Sequence, residues 1–115
     1  MKALASYLAA AVDADASDIH LVAGEKPMIR VSGELKPLED AALPIKETAA
    51  AIMGLLNEDQ KREFEDSLEL DISLTEAGQR FRVNIHREEG KIGLAARLIP
   101  KKIPSPEELK FEPIL

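Results

Sequence analysis

The chain opens on a helical period: Leu4, Leu8 and Val12 stand at i, i+4 and i+8 within an Ala-rich stretch from Ala3 to Val12. This spacing favours a first amphipathic helix over a signal peptide, which Lys2 and the Ala-rich run only loosely imitate. At Ser17 the period becomes two. Ile19 and Leu21 share one side of a strand, Asp18 and His20 share the other, and strict alternation sets Ser17 on the face away from Asp18 and His20. Gly24 breaks the pattern. Pro27 to Val31 reads as a second strand, Ser32-Gly33 as a turn, and Glu34 to Leu38 as a third strand that Pro37 confines to a sheet edge. From Pro44, the series Ile45, Ala49, Ile52, Met53 and Leu56 returns to helical spacing. Asn57 with Gln60 forms a capping-box pattern that opens a third helix through Asp66, with Phe64 as its apolar contact. Leu68 to Thr75, Arg80 to Arg87 and Lys91 to Ile99 then alternate as an antiparallel meander joined at Gly78 and Gly90.

The predicted order is α-β-β-β-α-α-β-β-β, which argues for an α+β domain: a mostly antiparallel sheet with helices packed on one face and the other face free. Residues 1–99 form this domain. Pro100, Pro104, Pro106 and Pro113 mark 100–115 as a Pro-rich linker.

Composition narrows the chemistry. The chain has 115 residues, no Cys and only two His, which excludes a disulfide framework, a thiol nucleophile and a His-rich metal centre. A net charge of -6 with 3% aromatic residues disfavours nucleic acid as a partner. No run approaches the length of a membrane span, so membrane insertion is not expected. The net charge conceals an asymmetry. Asn57 to Asp71 carries seven acids against two bases, and Arg80 to Lys102 carries seven bases against two acids. The basic end is where an anion would bind.

A two-residue loop at Glu89-Gly90 fixes a register for the last hairpin in which Phe81 meets Leu98, Val83 meets Ala96 and Ile85 meets Leu94. That register sets Arg82 directly opposite Arg97, about 5 Å apart at Cβ, where like charges repel. Two explanations stay open. Asp71, diagonal to Arg82 if Ala77-Gly78 closes the preceding hairpin, neutralises it internally, or the two guanidiniums form a clamp for a polyphosphate. No nucleophile and base assemble into a catalytic site. Ser17, Asp18 and His20 are triad residue types in the wrong arrangement, and Gly90-Lys91 lacks the rest of a Walker A motif.

The segments Ala16-Ser17-Asp18-Ile19-His20-Leu21, Gly24, Pro27-Met28-Ile29-Arg30-Val31, Gly33, Phe81-Arg82-Val83-Asn84 and Arg97-Leu98-Ile99-Pro100 resemble the N-terminal domain of the PilT-like type IV pilus retraction ATPases. These are twitching-motility motors of the type II/IV secretion ATPase superfamily. The resemblance implies a PAS-like domain of a homohexameric motor, working in the cytoplasm at the inner-membrane pilus platform. It implies that the domain closes over ATP bound with Mg by a RecA-like core and packs on a neighbouring subunit's core. Arg82 and Arg97 match arginines that approach the nucleotide phosphates, while Asp18, His20 and Arg30 match a signature given a structural or interface role. The chain ends at Leu115 before any motor core, so it is expected to be part of a longer ATPase and not an enzyme alone. The other readings are a PAS-like small-ligand sensor and the equivalent domain of a secretion or pilus-extension ATPase.

Overall fold

The computed structural model describes residues 2–100; all of the expected linker at 100–115 except Pro100 lies outside the described residues. Three helices, α1 (Leu4–Asp13), α2 (Ile45–Met53) and α3 (Glu58–Ser67), accompany six strands: β1 (Asp18–Val22), β2 (Met28–Val31), β3 (Glu34–Pro37), β4 (Glu69–Glu76), β5 (Gln79–Glu88) and β6 (Lys91–Leu98). The strands form one sheet in the order β3-β2-β1-β6-β5-β4, antiparallel throughout. The α+β class and the element order expected from the pattern are both present.

Two meanders, β1–β3 and β4–β6, meet where β1 pairs with β6. Ile19, Leu21, Ile29, Leu70, Phe81, Val83, Ile85, Leu94 and Ala96 point to one face and bury against Leu4, Tyr7, Leu8 and Ala11 of α1, Ile52 of α2 and Phe64 of α3. Each such buried side chain contributes about 1.5–3 kcal/mol of transfer free energy, so this face fixes the register of every strand. The opposite face carries the polar residues of the alternation.

Three two-residue loops set the local pairings. Ser32-Gly33, Ala77-Gly78 and Glu89-Gly90 each have both residues at positive φ, the mirror-image turn whose twist suits a tight hairpin. The last two place Phe81 opposite Leu74 and Leu98, Val83 opposite Ile72 and Ala96, and Arg82 opposite Arg97, as the sequence predicts. The capping box also forms: Gln60 N–H donates to Asn57 Oδ1 at 2.8 Å, and Asn57 N–H donates to Gln60 Oε1 at 2.9 Å. β3 lies at the edge.

The helix faces differ in detail from expectation. In α1 the buried set is Leu4, Tyr7, Leu8 and Ala11, with Val12 only partly covered. In α2, Thr48 and Ile52 are buried, while Ile45, the first helical residue after the N-cap Pro44, is 57% exposed. Leu68 does not begin β4; it ends α3 in the left-handed conformation, its N–H donating to the Phe64 carbonyl at 2.7 Å.

Acidic α3 and the basic hairpin meet through packing. Arg87 lies over the Phe64 ring at 5.3 Å, and the ion pairs of α3 run within the helix, Lys61 to Glu58 and Arg62 to Asp59.

Candidate functional site

The polar face is organised in rows, because directly opposed residues on five strands line up across the sheet. One row reads Arg30 on β2, Asp18 on β1, Arg97 on β6, Arg82 on β5 and Ser73 on β4. The row beside it reads Met28, His20, Ala95, Asn84 and Asp71. The five candidate site residues therefore lie on these two rows: Arg82 and Arg97 side by side, with Asp18, His20 and Arg30 adjoining them.

Asp18 is the most enclosed charge in the group, its side chain 14% exposed. Ser17 Oγ donates to its Oδ1 at 2.6 Å, and its Oδ2 lies 2.6 Å from His20 Nε2 and 3.6 Å from Arg30 Nε. Partial burial pushes the Asp18 carboxyl upward, but the hydrogen bonds from Ser17 and His20 and the charges of His20 and Arg30 outweigh it and hold the group below the ordinary carboxylate value. Ser17 thus departs from the alternation. It sits just before β1, where its short side chain reaches the next residue's carboxylate. The arrangement is still no nucleophilic triad, since the carboxylate stands between hydroxyl and imidazole and the imidazole does not touch the hydroxyl.

Arg82 and Arg97 are exposed, and among the described residues neither side chain makes an ion pair or a hydrogen bond. Asp71 does not neutralise Arg82. It lies directly opposite Asn84, whose Nδ2 donates to Asp71 Oδ1 at 3.0 Å and to Glu69 Oε2 at 2.9 Å. The directly opposed partner takes the carboxylate, and Arg82 faces Ser73 instead. Of the two explanations left open by the sequence, the internal salt bridge is absent.

A shallow cavity of about 210 Å³ lies along the two rows, floored by Ala95 and walled by Asp18, His20, Asp71, Arg82, Asn84 and Arg97. Ala95 creates it, because a small side chain stands where both cross-strand neighbours, His20 and Asn84, are larger. The arginines present forked donors at one end. Such an arrangement suits an anion with several oxygens. Among the described residues no group of His, Asp and Glu is placed to hold a metal ion, and no helix is long and apolar enough to cross a membrane.

The position of Asp18 beside Arg97 was not legible in the sequence, because β1 and β6 lie near opposite ends of the chain and no turn fixes their register. The matched apolar faces, Ile19 with Ala96 and Leu21 with Leu94, are the one signal that would have found it.

No family model matches the chain. It is 38% identical over 107 residues to the type IV pilus retractation ATPase PilT of Pseudomonas aeruginosa, covering 92% of this chain and 31% of that protein. It is 32% identical over 105 residues to the type IV pilus ATPase PilU of the same organism, covering 90% of this chain and 28% of that protein. Among solved structures, the pilus retraction motor PilT with bound ADP superposes with a TM-score of 0.83 at 29% identity, over 94% of this chain and 32% of that one. The Legionella pneumophila ATPase DotB superposes with a TM-score of 0.67 at 25% identity, over 86% of this chain and 29% of that one. The chain thus spans about a third of the length of the relatives it matches.

Proposed function

From the premise that the chain is homologous to the N-terminal domain of the PilT-like ATPases, we propose that it is the coupling domain of a type IV pilus retraction motor. Its open sheet face closes over ATP held by a RecA-like core, and Arg82 and Arg97 contact the phosphates. One observation carries the reading: two opposed guanidiniums stand on an open face without a partner among the described residues. A sheet that sets like charges directly opposite loses stability, and a polyphosphate lying between them converts that repulsion into two charge-assisted contacts.

The residues present fit the phosphate end of a nucleotide and nothing more. ATP supplies the phosphoryl chemistry when bound by the core; this domain's side chains bind and orient its negative charge. Two arginines on an open sheet offer few contacts against the cost of association, so nucleotide binding by this chain alone is weak. Assembly as a homohexamer, packing on a neighbouring subunit's core, and work at the cytoplasmic face of the inner membrane belong to the same proposal.

In a full-length ATPase carrying this domain, Arg82→Ala or Arg97→Ala lowers turnover about tenfold or more with the fold intact. Unchanged turnover in both variants overturns the phosphate role. A second reading is the equivalent domain of a secretion or pilus-extension ATPase, favoured by the likeness to the type IV pilus ATPase PilU and the ATPase DotB, neither of which is a retraction ATPase by name. Deleting the gene separates the two: a retraction motor leaves cells piliated without twitching, and an extension motor leaves them bald.

A further inference from the structure

Asp18 lies directly opposite Arg97, and directly opposed side chains in an antiparallel pair sit about 5 Å apart. An Asp18–Arg97 ion pair is therefore the shortest route by which this sheet would neutralise Arg97. It is not made. The carboxylate is turned toward β2 and engaged at both oxygens, by Ser17 Oγ at 2.6 Å, His20 Nε2 at 2.6 Å and Arg30 Nε at 3.6 Å. His20 follows two residues later on the same face of β1, and its ring nitrogen makes the shortest contact to Oδ2, the oxygen it shares with Arg30.

We propose that His20 is a positioning residue that acts through Asp18: by holding the carboxylate on the β1–β2 side, it keeps the Arg97 guanidinium available for an anion. Removing the imidazole leaves Oδ2 with only the longer Arg30 contact, and the directly opposed cation across the strand pair is Arg97. The ion pair that forms then competes with any incoming phosphate. This deepens the phosphate reading above and rests on it. Asp18 is thereby an internal competitor, and His20 is what keeps it occupied.

The test uses the 115-residue chain with inorganic tripolyphosphate as probe, titrated by NMR alongside the Arg97 side-chain Nε–H signal. His20→Ala is expected to weaken binding about threefold, the scale of one exposed ion pair in competition, and to shift the Arg97 signal toward that of a carboxylate-bound guanidinium. His20→Gln, whose amide nitrogen reaches where Nε2 lies, restores both readouts. So does the double variant Asp18→Asn/His20→Ala, because no competing charge remains. Unchanged binding and an unmoved Arg97 signal in His20→Ala overturn the proposal. Equal weakening in His20→Ala and in the double variant also overturns it, since a merely structural histidine is not rescued by removing the aspartate. Arg97→Ala separates the two readings. If it binds tripolyphosphate like the wild type, the phosphate role fails, while the Arg97 signal in His20→Ala still decides the positioning role.

Discussion

On the β1–β2 half of the polar face, Arg30, Asp18 and His20 satisfy one another, whereas one strand away Arg97 and Arg82 face each other with no side-chain partner among the described residues. Both halves lie on the same sheet face, over the same core, at the same level. What separates them is not a shortage of acid, for the chain carries 21 Asp and Glu against 15 Lys and Arg. It is where the nearby carboxylates are committed. Asp18 is held by Ser17, His20 and Arg30, and Asp71 by Asn84. An arginine left bare beside two occupied acids points to a ligand more strongly than one that has no acid in reach.

The comparison breaks most severely where both halves lose their common support. Ile19 lies between Asp18 and His20 in the chain, points into the core and is fully buried. Ile19→Ala is expected to cost about 2–5 kcal/mol in chemical denaturation and to shift NMR signals in both halves of the row. Shifts confined to β1 and β2 would show that the halves are mechanically separate.

Asp18→Ala acts on the satisfied half alone. It strips an acceptor from Ser17, His20 and Arg30, and a loss of about 1–3 kcal/mol follows. The same carboxylate gives a pH signature. Its folded value lies below the unfolded one, so its contribution is complete above the ordinary carboxylate range and is lost as the pH falls, from about pH 4 downward. Glu39, lowered first by the Lys2 hydrogen bond and next by that of Tyr7, has the same sign. The difference between wild type and Asp18→Asn isolates Asp18: the variant has the flatter acid limb in a series of denaturation midpoints. Parallel acid limbs would contradict the assignment.

The smallest effect sharpens the bare half. Arg82→Ala or Arg97→Ala each removes the cross-strand repulsion, so stability is unchanged or rises by about 0.2–1 kcal/mol. The double variant gains no more than either single one, because both relieve the same pair. Arg30→Ala, by contrast, lowers stability. If the arginine variants are destabilised as much as Arg30→Ala, the two halves are alike and the ligand argument loses its footing.

Legibility in the sequence follows distance along the chain. The β4–β5 and β5–β6 registers were readable because Ala77-Gly78 and Glu89-Gly90 dictate the turn, and one wrong step would bury Arg97 against Phe81. The arginine pair came with them. The β1–β6 pairing has no turn to announce it, so the link from Arg30 through Asp18 to Arg97 emerged only in three dimensions. Side-chain choice among near neighbours was equally hidden. Alternation placed Asp71 within reach of Arg82 but did not tell that Asn84 would take it, and it put Ser17 on the wrong side of Asp18. In α2 the apolar spacing was sound, yet tertiary packing selected Thr48 and left Ile45 outside.

The pairing of the first strand with the last also gives the site a chronology. Arg82 and Arg97 share a tight hairpin and meet as soon as that hairpin closes, whereas Asp18 reaches Arg97 only after nearly the whole intervening chain has been ordered. During folding the repulsion is therefore felt early, and the acidic group that surrounds it with structure arrives late. If a polyanion binds this pair, its effect on refolding is expected at the nascent hairpin, before the first strand has docked.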